Sequence, residues 1–234
     1  MFINTTGIVF HMYESKVMAL KGIPVFSLSD VSQIVSGKDY AKKFLRRLVS
    51  SGEIKRIKKD AYTFHEDPFL VSTFLVRPSY ISSVSALAYH RIITQIPRDV
   101  FCFTQGKQRK FKFISEINFI HTNHFFGFEN QKYEGFGLPI ASPEKAIIDS
   151  INTAPFSVFD EAIEKVDLER MLEYLRRIGK SSVTKRVGYL LEENGFDVYE
   201  KLKSGLNGRY VCLDPLARKT GARDKKWRLI VNTK

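Results

Sequence analysis

The chain has 234 residues, is 44% hydrophobic and carries a formal charge of +12; that is enough apolar material for a full core and long for one domain, so two or three modules are expected. The charge is uneven: residues 1–60 hold eleven basic side chains against five acidic, residues 61–200 sixteen against eighteen, and residues 201–234 ten against two, which points to polyanion contact at both ends of a neutral folded body. Cys102 and Cys212, 110 positions apart and without metal-ligand neighbours, argue against a disulfide or zinc scaffold. No apolar run approaches the roughly eighteen residues of a membrane span and the N-terminus lacks a charged-then-apolar leader, so a reduced cytoplasmic protein without membrane contact is expected.

In chain order, Phe10 to Leu20 places Met12, Tyr13, Val17 and Leu20 at helical spacing, and Val25-Phe26 is read as a short strand. Ser29 is the expected N-cap of a helix carrying Val31, Ile34 and Val35, closed by a Ser36-Gly37-Lys38 turn. Asp39 is expected to cap a second helix in which Ala41, Phe44, Leu45 and Leu48 share one face and Lys42, Lys43, Arg46 and Arg47 the other. Ser51-Gly52 stops it. Ile54 to Lys58 and Ala61 to Phe64, joined by Lys59-Asp60, then read as two strands of a basic hairpin.

Helix, turn, amphipathic basic helix and basic hairpin together predict a winged helix-turn-helix. Residues 38–59 hold nine Lys or Arg against Asp39 and Glu53, a balance suited to the phosphates of duplex DNA with the second helix in the major groove. The candidate DNA contacts are Lys38, Tyr40, Lys42, Lys43, Arg46, Arg47, Lys55, Arg56, Lys58 and Lys59.

Beyond the hairpin, Asp67-Pro68 opens a helix closed by Arg77-Pro78, expected to link domains. Ser82 or Ser83 caps a helix with Val84, Leu87, Ala88 and Ile92 inside. Residues 100–103, 111–114 and 117–120 have the β-branched and aromatic composition of strands, whereas Gly135, Gly137 and Pro139 break up the next stretch. Ser142-Pro143-Glu144 opens a further helix. From Asp160 three short helices are expected, capped by Asp167 and Ser182 and stopped at Gly179 and Asn194-Gly195. Asn207-Gly208 is read as a hairpin turn, residues 210–213 and 227–231 as strands, and Ala217 to Lys226 as an exposed basic loop. The expected fold class is α+β: a winged helix-turn-helix over 1–65, a mixed and mostly antiparallel α+β domain over 66–155, and a C-terminal α/β portion with helices and a β-hairpin over 156–234.

Two constellations bear on catalysis. His121 and His124 with His90 and Cys102 would make a metal set, but the strand end at His121 and Phe125-Phe126 favour packed or surface histidines. Glu144, Lys145 and Asp149 resemble a metal-dependent nuclease set, yet on a helix starting at Pro143 they read as a first-turn acid and a solvated face. No phosphate loop, nucleophile elbow or cysteine pair is present. No catalytic residue, metal or cofactor is expected. Arg218, Lys219, Arg223, Lys225 and Lys226 form a candidate second polyanion or partner site.

The order of features resembles the AbiEi-type antitoxins of type IV toxin-antitoxin systems, related to abortive phage infection. The strings that carry the resemblance are Ser83-Val84-Ser85-Ala86-Leu87 with His90, Ala141-Ser142-Pro143-Glu144-Lys145-Ala146 with Asp149, Tyr210-Val211-Cys212-Leu213-Asp214-Pro215, and Trp227-Arg228-Leu229-Ile230-Val231-Asn232, behind the winged helix. The resemblance implies an autorepressor that binds inverted repeats in its own promoter and a larger C-terminal part that counters a co-encoded nucleotidyltransferase toxin, directly or indirectly. The competing expectation is a nucleic-acid-processing enzyme of metal-dependent nuclease type, or an RNA-binding factor, targeted by the winged helix.

Overall fold

The computed structural model describes residues 15–35 and 37–233. Residues 10–14 of the expected first helix and Ser36 of the expected turn lie outside them. Helical residues 15–21 (α1) are followed by α2 (Leu28–Ile34) and α3 (Lys38–Ser50). The α2 cap is Ser27 rather than Ser29: its hydroxyl accepts from the Asp30 amide at 3.3 Å and its own amide donates to Asp30 Oδ2 at 2.7 Å. Reciprocal bonding of this kind needs an acceptor three residues downstream, and Asp30 stands three from Ser27. The α3 N-cap is Gly37, at φ +95°, a conformation that glycine alone adopts cheaply; Asp39 sits within the first turn.

Strands β1 (Lys55–Lys58) and β2 (Ala61–Thr63) form an antiparallel hairpin, and a bridge from Phe26 to Tyr62 adds the Val25-Phe26 segment alongside. Val17, Leu20, Phe26, Val31, Val35, Ala41, Phe44, Leu45, Leu48 and Ile54 close the core of this N-terminal unit.

The body is built on α4 (Pro68–Leu75), β3 (Ser79–Ile81), α5 (Ser83–Tyr89), β4 (Val100–Thr104), β5 (Arg109–Phe113), β6 (Ser115–His121), β7 (Phe128–Tyr133), β8 (Phe136–Ala141) and α6 (Pro143–Ser150). The class is α+β, as expected. The six strands lie in the order β5-β6-β4-β3-β8-β7, and the sheet is less antiparallel than expected, because β4/β6 and β3/β8 run parallel while β5/β6, β3/β4 and β7/β8 are antiparallel. β3, β7 and β8 were not legible as strands. Glu134 and Gly135, both at positive φ, make the tight β7–β8 turn. Pro139 fits in β8 because only Ile140 of that strand pairs with β3.

Helix α4, expected to link domains, is packed into the body. Its sequence, Pro-Phe-Leu-Val-Ser-Thr-Phe-Leu, is apolar nearly all round, and Leu70, Val71 and Leu75 are buried in the body core. After α6 come α7 (Val158–Ile163), α8 (Leu168–Ile178), α9 (Ser181–Glu193) and α10 (Tyr199–Leu202), then β9 (Val211–Cys212), β10 (Ala222–Asp224) and β11 (Leu229–Val231). The α9 N-cap is Lys180 rather than Ser182. β9 pairs with β11 in parallel and β10 with β11 antiparallel, so Asn207-Gly208 closes no hairpin. Instead Asn207 Oδ1 accepts from Lys185 Nζ at 2.9 Å and from the Arg209 amide at 3.2 Å. One buried cluster runs from Ala61 to Leu229, across residue 155 without a break.

Candidate nucleic-acid interface

The apolar spacing of α3 buries Ala41, Phe44, Leu45 and Leu48 against the N-terminal core, which forces Lys38, Lys42, Lys43, Arg46 and Arg47 onto the exposed side. Tyr40 is 51% exposed and stacks on Phe44, with the Lys16 ammonium 5.6 Å from its ring centre. Lys42 also meets Asp39 at 3.3 Å, an exposed pair worth little. Between α3 and the hairpin lies an open groove of about 650 Å³, lined by Lys42, Arg46, Arg56 and Lys59 together with Leu28, Val49 and Tyr62. Helix and hairpin cations thus face one space.

The hairpin cations divide. Arg56 and Lys59 are exposed, whereas Lys55 pairs with Glu66 at 2.7 Å and Lys58 donates to the Leu75 carbonyl at 2.6 Å, with its ammonium 5.0 Å from the Phe111 ring centre. Burial, and then the charge of Arg109, lower the Lys58 pKa. Lys58 is therefore committed to the body. Among the groove residues absent from the sequence-based set, Asp60, at φ +58° in the hairpin turn, accepts from the Leu28 amide at 2.8 Å and ties the turn to the start of α2. Its signal was only an acid in a turn.

The C-terminal cations are not one free loop. β10 occupies the middle of the expected loop and carries Arg223, whose guanidinium lies 5.4 Å from the Tyr210 ring centre. Lys226 pairs with Glu192 at 2.7 Å and lies over Tyr199. Arg218, Lys219 and Lys225 are exposed.

The Glu144, Lys145 and Asp149 set is a correction: it is not a solvated face. Glu144 is 2% exposed and Lys145 fully buried. Lys145 Nζ bonds Asp149 Oδ1 and, at 2.8 Å, the Tyr80 hydroxyl, while Asp149 Oδ2 accepts from Tyr80 at 2.9 Å and Ser82 at 2.8 Å. Burial raises the Asp149 pKa against the pull of Lys145 and lowers that of Lys145 against the pull of Asp149. Tyr80, Phe103 and Phe126 ring the ammonium. The helix is enclosed because α5 and α8 pack on it as well as the sheet, a neighbourhood that helical periodicity alone does not reveal. Cys102 is buried, and burial pushes its thiol up to about 12. His90 Nε2 donates to the Ala141 carbonyl at 2.8 Å, and His121 lies 3.0 Å from both the Gly106 carbonyl and Asn123. No group of three or more His, Cys, Asp and Glu among the described residues is arranged to hold a metal ion, and no helix among them is long and apolar enough to cross a membrane.

No protein-family model matches the chain, and no curated protein is significantly similar to it.

Proposed function

We propose that this chain is a DNA-binding autorepressor and antitoxin whose α1–β2 unit is a winged helix-turn-helix, with α3 as the recognition helix and the β1–β2 hairpin as the wing. The observation that carries the DNA half is the groove in which exposed cations of α3 and of the hairpin converge over a helix whose other face is locked into a core. A rigid amphipathic helix presented in this way suits a major groove, and a hairpin beside it suits the adjoining backbone. The test is a mobility shift on the gene's own upstream region with Lys43→Glu and Arg47→Glu combined. Loss of phosphate contacts plus added repulsion should weaken binding about 100-fold or more at moderate salt, with the melting temperature unchanged. Unaltered affinity would remove α3 from the interface.

The antitoxin half rests on the resemblance to the AbiEi-type family, whose quoted strings fall on α5, β8–α6, β9 and β11 of the body. The partner on this reading is a co-encoded nucleotidyltransferase toxin, in the cytoplasm. Co-expression with a neighbouring nucleotidyltransferase should rescue growth, and replacing Arg218, Lys219, Arg223, Lys225 and Lys226 by Gln should reduce that rescue without affecting promoter binding. A neighbour that is harmless when expressed alone would sink this half and leave the DNA half standing.

A further inference from the structure

The wing does not end the basic surface. From Val100 to Ser115 there is no acidic residue, and Lys107, Arg109, Lys110 and Lys112 follow one another on β5 and the turn before it. β5 is an outer strand of the six-stranded sheet, and β1 packs against it: Lys58 lies over Phe111, and Arg109 is near enough to Lys58 to act on its charge. Lys110 is neutralised by Glu116 at 2.7 Å. Lys107, Arg109 and Lys112 are exposed and form no ion pair among the described residues.

Charged side chains on an outer strand also discourage pairing with a foreign sheet. A guard of that kind needs charge of either sign, yet this stretch is cationic throughout and begins where the wing ends. We propose that the β5 edge, through Lys107, Arg109 and Lys112, is a second phosphate-binding segment that continues the wing and grips duplex DNA flanking the sequence read by α3. This rests on the winged-helix reading above. The contacts would be to backbone phosphates only, adding affinity and salt dependence but no sequence preference.

The test measures binding to a duplex of the upstream region, and to a scrambled duplex of equal length, across a salt series. Four proteins are compared: wild type, the β5 triple variant Lys107→Gln, Arg109→Gln and Lys112→Gln, the α3 variant Lys43→Glu with Arg47→Glu, and a control losing the same charge elsewhere, Lys132→Gln with Lys201→Gln and Lys203→Gln. Three lost phosphate contacts should flatten the slope of log K against log salt by about 2 to 3 for the β5 variant on both duplexes, with the control close to wild type. A β5 variant that matches wild type while the α3 variant fails to bind overturns the β5 surface and leaves the recognition helix in place. Equal flattening in the β5 variant and the control also overturns it, since net charge alone would then explain the effect. An α3 variant that binds like wild type removes the winged-helix reading and this inference with it.

Discussion

Helices α3 and α9 are both thirteen residues long and both carry cations in mid-helix, yet they put those cations to opposite uses. On α3 the five Lys and Arg side chains all face outward. On α9, Lys185 is fully buried and bonds Asn207 and the Arg209 carbonyl, while Arg186 donates to the Cys212 carbonyl at 2.9 Å and to Asn152. The difference lies in the neighbours. α3 has one covered side, so its polar half stays exposed. α9 is covered by the C-terminal segment between Asn207 and Trp227, whose carbonyls at Arg209 and Cys212 need donors, and long cationic side chains supply them. Charge in sequence therefore says little until the number of covered faces is known.

That comparison can be broken most forcefully at the buried pair. Asp149→Ala strands the Lys145 ammonium inside the core and should cost about 3 to 5 kcal/mol, read as a fall in the denaturant midpoint. Combining Lys145→Met with Asp149→Leu should recover most of that loss, since a well-packed apolar pair replaces both charges. A harmless Asp149→Ala would mean that water reaches Lys145.

Next in size is the contact that covers α9. A Cβ at Gly188 would meet the Trp227 ring at 2.2 Å, so Gly188→Ala should cost about 1 to 3 kcal/mol by overpacking. Trp227 is the sole tryptophan and its Nε1 donates to Glu192 at 2.8 Å. Its emission should shift to the red as the C-terminal strands lift, and an unshifted spectrum would count against that packing.

Two neighbours on β1 sharpen the contrast within a single strand. Lys58→Gln should lower stability by about 1 kcal/mol through loss of its charged bond to the Leu75 carbonyl, with little change in DNA affinity. Arg56→Gln should do the reverse. Similar effects of the two on DNA binding would erase the division drawn between them.

The smallest effect concerns His124, whose pKa is lowered by burial, then by Lys180 and Lys145, from an ordinary value of 6.5. A depressed folded-state value means that the unfolded chain takes up a proton first, so this contribution is present above pH 6.5 and is lost as pH falls through the folded value. His124→Gln should flatten stability against pH below about 6.5 in thermal melts. An identical slope in both proteins would contradict the lowered value.

The parts legible in sequence were those fixed locally. Asp67 and Ser142 cap their helices as expected, Gly179 closes α8 in the left-handed conformation, and strands β4 to β6 were visible from composition alone. What escaped depended on remote partners. β3 is three residues long and exists because β4 and β8 flank it. The division of Lys55 and Lys58 from Arg56 and Lys59 depends on Glu66 and Leu75. Glu144 and Lys145 looked solvated because periodicity reports one buried stripe, and α6 is covered on more than one side.

The hairpin of β1 and β2 serves two cores at once. Ala61 belongs to the body cluster, whereas Ile54 belongs to the N-terminal one and Tyr62 and Phe64 pack against it. Lys58 and Lys55 add ties to Leu75 and Glu66. A segment clamped from both sides transmits twist, so torque applied to the hairpin would reach α4 and the sheet rather than dissipate in a slack joint. The protein is built less like two beads on a string than like a wrench, its jaw and handle cut from one piece.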